Sequence, residues 1–279
     1  MARGRADLAR RVAVAAIAIP AVALLAWTGG LVFAALAAAL AAVAAWELYA
    51  MAARKGIVTL TRMGMIWAAA FPLLAALPGS PLDLFTAVVP LAMLLFAPAA
   101  LRLKPGSGPT TALATTLFGA AYPGACLAFG VLLREMGRTE AEGMALLFFP
   151  LVVTWVGDTA AYFAGKAAGR TPLAPRVSPN KTWEGAVAGL VGSVAAAIAY
   201  APLARATGLP LGATLAGVVG ALVAVAGQVG DLVESLLKRD CGVKDSSSIL
   251  PGHGGVLDRL DSLLFAFPVT YVAVRLAWG

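Results

Sequence analysis

Histidine and cysteine are nearly missing from this 279-residue chain, which has one histidine, His253, and two cysteines, Cys126 and Cys241. The cysteines stand far apart, one in an apolar run and one in a polar stretch. That distribution excludes a zinc-type ligand cluster and argues against a structural disulfide. Charge is scarce too: 13% of the residues are charged while 61% are hydrophobic. A mean hydropathy of +0.87 lies outside the range of ordinary soluble domains, so the composition is that of a polytopic membrane protein. The charges that remain lean positive, with 21 Lys and Arg against 14 Asp and Glu. In a membrane protein such an excess collects in cytoplasmic loops, and it does not call for a nucleic-acid partner.

What the chain has instead is apolar sequence. At about 20 apolar residues per crossing, the runs place nine spans, near 11–28, 31–52, 63–79, 83–101, 111–133, 144–164, 184–204, 211–234 and 259–277. The expected fold is therefore all-α, a polytopic integral membrane protein with about nine transmembrane helices. Residues 1–135 hold about five spans, and residues 136–279 form a C-terminal region with two polar loops, 165–183 and 235–258. The third span is short and interrupted by Pro72, and prolines 20, 90, 123, 150 and 268 also fall inside spans. Kinks there are tolerated when neighbouring helices or water satisfy the freed carbonyls. The basic start, Arg3, Arg5, Arg10 and Arg11, leads into apolar sequence with no small-residue cleavage site, which reads as an uncleaved first span. Gly185, Gly189 and Gly192 in the seventh span and Gly212, Gly217 and Gly220 in the eighth allow close helix approach.

With the N-terminus inside, 17 of the 21 basic residues fall on cytoplasmic segments, leaving Arg134, Arg138, Arg205 and Arg275 outside. This is a strong positive-inside signal. It places the N-terminus and both polar loops in the cytoplasm.

Polar chemistry concentrates between Asp231 and Asp261, where carboxylates, basic residues, hydroxyls and glycines lie between two apolar runs. Charge of this density belongs at a water-accessible surface or around a polar cavity. On a helix, Asp231, Ser235 and Lys238 recur at i, i+4 and i+7 and share one face, and Asp258 and Asp261 share another. Gly252, Gly254 and Gly255 surround His253 and would let backbone N–H groups approach an anion. Carboxylates for a metal ion, cations and an anion cradle together suit phosphate chemistry with a divalent ion. The bland alternative is that these aspartates pair with Lys238, Arg239 or Arg259 as interfacial salt bridges.

A second polar block runs from Gly157 to Arg170 and on through Ser178-Pro179-Asn180-Lys181-Thr182-Trp183-Glu184. Asp158 ends a long apolar run, and an intramembrane carboxylate is a functional-site hypothesis by default; capping or packing with Thr159 is the alternative.

The run from Ser235 to Asp261 resembles the signature of the phosphatidate cytidylyltransferase (CDP-diacylglycerol synthase) family. It places Lys238-Arg239 before Lys244-Asp245, then His253-Gly254-Gly255, then Asp258-Arg259 and Asp261. The block from Gly157 to Gly185 is similar to the same family. Ser247 stands where the family often has glycine, and Asn180 where it often has a second lysine. The N-terminal half resembles the family only in its serial apolar helices.

This resemblance implies a reaction in which the phosphate of phosphatidic acid attacks the α-phosphorus of CTP, giving CDP-diacylglycerol and pyrophosphate for phospholipid biosynthesis at the cell membrane. It implies Asp231 and Asp258 as the leading ligands of Mg²⁺, with Asp261 supporting them and Lys238, Arg239 and Arg259 holding phosphate groups. It leaves room for a second, monovalent ion and for a homodimer. Substrate contacts fall by the same resemblance to Asp158, Lys166, Ser178, Asn180, Lys181, Ser235, Lys244, Asp245, His253, Gly254 and Gly255. His253 is given a positional role, since the attacking phosphate is already anionic and needs no base. The rival readings are a secondary transporter, which also carries buried aspartates, and another lipid phosphotransferase such as a CTP-dependent lipid kinase.

Overall fold

The computed structural model describes residues 20–79, 91–92, 94–104, 106–250, 252 and 254–278. Seven helices are labelled: α1 Gly30–Arg54, α2 Thr61–Ala75, α3 Pro109–Glu135, α4 Glu140–Ala168, α5 Trp183–Ala206, α6 Ala213–Asp240 and α7 Leu257–Trp278. Residues 20–28 and 94–100 are also helical. Strands β1 Pro172–Ala174 and β2 Ser178–Thr182 pair antiparallel between α4 and α5. The chain is thus an all-α multi-pass membrane protein, with one small hairpin among the described residues.

The expectation of nine spans is met only in part. Among the described residues six helices, α1 and α3 to α7, are long and apolar enough to cross a membrane. The third expected span forms α2, whose 15 residues fall short of a crossing. The first and fourth expected spans lie partly outside the described residues. So do Arg3, Arg5, Arg10, Arg11, Pro90 and His253.

The chain divides into two compact units, the first made of Met1–Val131 with Cys241–Arg259 and the second of Leu132–Asp240 with Leu260–Gly279. In the first, α1 packs against α2. Alanines 34, 37, 38, 41, 44 and 45 of α1 are all buried; side chains this small let helix backbones come together where lipid supplies no hydrophobic drive between helices. Tyr49 fills a notch between Gly64 of α2 and Gly119 of α3, either of which would collide with its ring if it carried a Cβ. The Tyr49 hydroxyl donates to the Thr116 carbonyl oxygen at 2.7 Å. Thr116 Oγ in turn accepts the Leu60 N–H at 3.0 Å, a donor that the start of α2 leaves without a helical partner.

In the second unit α4 packs on α5 and α5 on α6, and hydrogen bonds between helices pin the register. Ser193 Oγ donates to the Val153 carbonyl at 3.0 Å, Tyr200 to Ala145 at 3.0 Å, and Gln228 Nε2 to Ala186 at 3.0 Å. The close approach expected of the glycines in the seventh span is present. A Cβ on Gly185 would sit 2.9 Å from the Ala161 carbonyl oxygen, and one on Gly192 would sit 2.7 Å from the Ala160 methyl. Gly212 of the eighth span has open space instead.

Candidate active site

The C-terminal end of α4, the hairpin, the start of α5 and the C-terminal end of α6 meet at one end of the second unit. Thr182 closes β2 and caps α5, its Oγ1 accepting the Gly185 N–H at 3.2 Å. Glu184, in the first turn of α5, folds its carboxylate back over the preceding loop. It accepts from the Arg170 N–H at 3.2 Å, the Thr171 N–H at 3.2 Å and the Thr171 hydroxyl at 3.1 Å. The Trp183 N–H returns a bond to the Thr171 carbonyl at 2.9 Å. These contacts turn the expected loop 165–183 into a braced hairpin. Ser178, Asn180 and Lys181 all lie on its second strand.

The brace delivers Lys181 to α6, where its ammonium forms an ion pair with Asp231. Ser235, one turn on, points its hydroxyl at Asp231 Oδ1 from 3.4 Å, so the expected shared face is present. Arg239 Nε reaches the Val177 carbonyl at 3.4 Å and ties the end of α6 to the hairpin turn.

Asp231, Glu234 and Asp261 bring one carboxylate oxygen each within 4.8 Å of one another. Gly230 makes this possible, because a Cβ there would sit 2.6 Å from the Asp261 carbonyl oxygen and hold α6 away from α7. Glu234 is fully buried, and Lys238 Nζ lies 3.2 Å from its Oε2. Asp158 on α4 lies within electrostatic reach of Asp231, Asp261 and Lys181. Carboxylates outnumber lysines here, and like charges crowded at low dielectric favour either a bound proton or a cation. Oxygens on opposite sides of a hard divalent ion at about 2.0–2.6 Å stand about 4–5 Å apart, so this set fits such an ion.

In the first unit Asp258 is held by the motif loop. Its Oδ2 accepts from the Ser246 N–H, the Ser246 hydroxyl and the Gly255 N–H, each at 2.8 Å. The anion that Gly255 approaches is therefore the protein's own carboxylate. Gly254, at φ 79°, adopts a backbone that favours glycine, and its carbonyl accepts the Leu250 N–H at 2.9 Å. Lys244, Asp245 and Arg259 are exposed, as are Lys166 and Asn180. Lys166 Nζ stands 5.9 Å from the centre of the Tyr162 ring.

Two acidic residues escaped the sequence reading. Glu234 lies three residues after Asp231, a helical spacing that puts both on one face. Glu47 is a lone acid in an apolar span, and its partners lie almost two hundred residues away in sequence.

The phosphatidate cytidylyltransferase of Bacillus subtilis (strain 168) is 41% identical over 157 residues, 56% of this chain and 56% of that protein. The phosphatidate cytidylyltransferase of Brucella suis biovar 1 is 45% identical over 136 residues, 48% of each chain. Phosphatidate cytidylyltransferase 5, chloroplastic, of Arabidopsis thaliana is 36% identical over 277 residues, 89% of this chain and 67% of that protein. The chain thus spans about half to two thirds of the length of these relatives. The profile of the cytidylyltransferase family runs further, from residue 9 to residue 277, through both polar blocks and nearly every apolar span, and on that match the chain belongs to the cytidylyltransferase family.

Proposed function

We propose that the protein is a membrane nucleotidyltransferase that transfers CMP from CTP to phosphatidic acid, with its working end at the cytoplasmic face of the cell membrane. The observation that carries this reading is the meeting of Asp231, Glu234 and Asp261 with Lys181 at the hairpin end of the second unit. Membership of the cytidylyltransferase family and similarity to phosphatidate cytidylyltransferases support the choice of substrates.

In the reaction an anionic oxygen of the phosphatidate phosphate forms a bond to the α-phosphorus of CTP. The bond from that phosphorus to the β-phosphate bridging oxygen breaks, and pyrophosphate leaves with the electron pair. No proton has to move, so no base is required. Asp231, Glu234 and Asp261 would hold a divalent cation, Mg²⁺ by the family resemblance, which when bound neutralises charge on the triphosphate. Asp258 is assigned to the same ion by that resemblance. Lys181, carried on a braced strand beside Asp231, offers its ammonium to the nucleotide phosphates. Lys238 and Arg239, both about two turns beyond Asp231, and Arg259, at the start of α7, hold lipid phosphate or pyrophosphate. An interfacial site leaves the acyl chains in lipid while the headgroup meets a soluble nucleotide.

Purified protein incubated with CTP labelled in the cytosine and with phosphatidic acid decides the matter. Label in a CDP-lipid together with released pyrophosphate is the expected result. CDP with a phosphorylated lipid would identify a lipid kinase, and uptake into vesicles without nucleotide turnover would identify a transporter.

A further inference from the structure

Glu47 sits inside α1 with no exposure at all, in a helix turn that is otherwise apolar. Both of its carboxylate oxygens are engaged twice. Oε1 accepts from Ser247 Oγ at 2.6 Å and from the Val256 N–H at 2.9 Å. Oε2 accepts from the Leu257 N–H at 2.7 Å and from Ser246 Oγ at 3.1 Å. The Val256 and Leu257 amides open α7 and have no acceptor within the helix, and the positive end of a helix favours a carboxylate. A carboxylate from the N-terminal half thus caps the helix that begins the C-terminal motif.

The Ser246 hydroxyl also stands 2.8 Å from Asp258 Oδ2. One hydroxyl proton serves two carboxylates, which fixes Asp258 relative to Glu47. Gly255 has no room for a side chain, since a Cβ there would strike both Ser246 Oγ and Glu47 Oε1. A packing role does not explain a charge at this position. An apolar residue would fill the volume without the desolvation penalty, and that penalty is offset only when the buried oxygens are bonded as fully as these are.

We propose that Glu47 is the positioning residue for Asp258: it clamps Ser246 and Ser247 to Gly255, Val256 and Leu257 at the start of α7 and, through the Ser246 hydroxyl, orients the Asp258 carboxylate, which the family resemblance assigns to a divalent ion. The clamp stands on geometry alone, while its link to the ion rests on the proposed function.

Hydrogen exchange on the metal-free, detergent-purified full chain reads the clamp directly. In Glu47→Gln an amide NH₂ confronts donors that need an acceptor. The Val256 and Leu257 amides should then exchange faster by about tenfold or more, the loss expected of charge-assisted bonds, while amides of α2 keep their protection. Turnover of CTP and phosphatidate by the same variant should need about tenfold more Mg²⁺ for half-maximal rate, the size typical of a residue behind a metal ligand. Glu47→Asp, which keeps the charge, should recover part of both effects. If Glu47→Gln does not fold, Ser246→Ala decides, because it removes only the shared hydroxyl and should raise the Mg²⁺ requirement in the same direction. Unchanged exchange in folded Glu47→Gln, or an unchanged Mg²⁺ requirement in Ser246→Ala, overturns the proposal. A wild-type protein that turns over no CTP would sink the proposed function alone and leave the exchange rates to judge the clamp.

Discussion

Lys181 on the second strand of the hairpin forms an ion pair with Asp231 on α6, so the two motif blocks meet through one ammonium and one carboxylate. Lys181→Ala should raise the apparent KM for CTP by about tenfold, the equivalent of one charge-assisted hydrogen bond, and change that for phosphatidate much less. Steady-state kinetics with each substrate varied in turn checks this. Equal effects on both would assign Lys181 to folding of the hairpin.

The carboxylate cluster makes a prediction that needs no turnover. Asp231, Glu234 and Asp261 repel one another without a cation, so Asp261→Asn should raise the Tm of the metal-free protein. The same change should shrink the stabilisation that Mg²⁺ gives to the wild type, since a ligand that binds only the native state raises its Tm. Thermal unfolding with chelator and with Mg²⁺ separates the two effects. An equal Mg²⁺ shift in wild type, Asp231→Asn and Asp261→Asn would remove the ion from this site.

Glu184 holds the hairpin rather than the substrate. Glu184→Ala takes the acceptor from the Arg170 and Thr171 amides, whose exchange should quicken. Lys181 then loses its support, and the apparent KM for CTP should move in the same direction as in Lys181→Ala. Faster exchange with an unaltered KM would uncouple the hairpin from the nucleotide.

Asn180 and Lys244 are exposed on the two polar blocks. Single cysteines at these positions, in a chain with Cys126 and Cys241 replaced, should react only with a reagent admitted to the cytoplasm. A cysteine at Arg138, which the charge distribution places outside, should react in intact cells. Labelling of Asn180→Cys from outside would invert the orientation and move the site away from the nucleotide.

Much of this architecture was legible in the sequence because lipid imposes a length on apolar runs. Long runs became α1 and α3 to α7, whereas the run at 63–79 formed only α2, which ends at Ala75. Asp231 and Asp261 were legible as charges in apolar surroundings. Glu234 carried the same signal and was hidden by the string LVESLL, where its i+3 spacing from Asp231 is easily read as a surface heptad. The hairpin was not legible: residues 171–182 are rich in proline and short of apolar alternation, and the fold is supplied by Glu184 from the next helix. Glu47 was passed over although it is an acid in an apolar span, and no local pattern names Ser246, Ser247, Val256 and Leu257 as its partners.

Tyr49, wedged between Gly64 and Gly119, follows Glu47 by two residues, and at about 100° per residue the two side chains leave α1 on nearly opposite sides. The ring therefore acts as a key in a slot, and the carboxylate behind it has a fixed azimuth. What α1 must conserve is phase rather than greasiness. Its many alanines can be exchanged for other small residues, while a single residue inserted between Glu47 and Tyr49 would swing the acid away from the loop it closes even if every span remained in the bilayer.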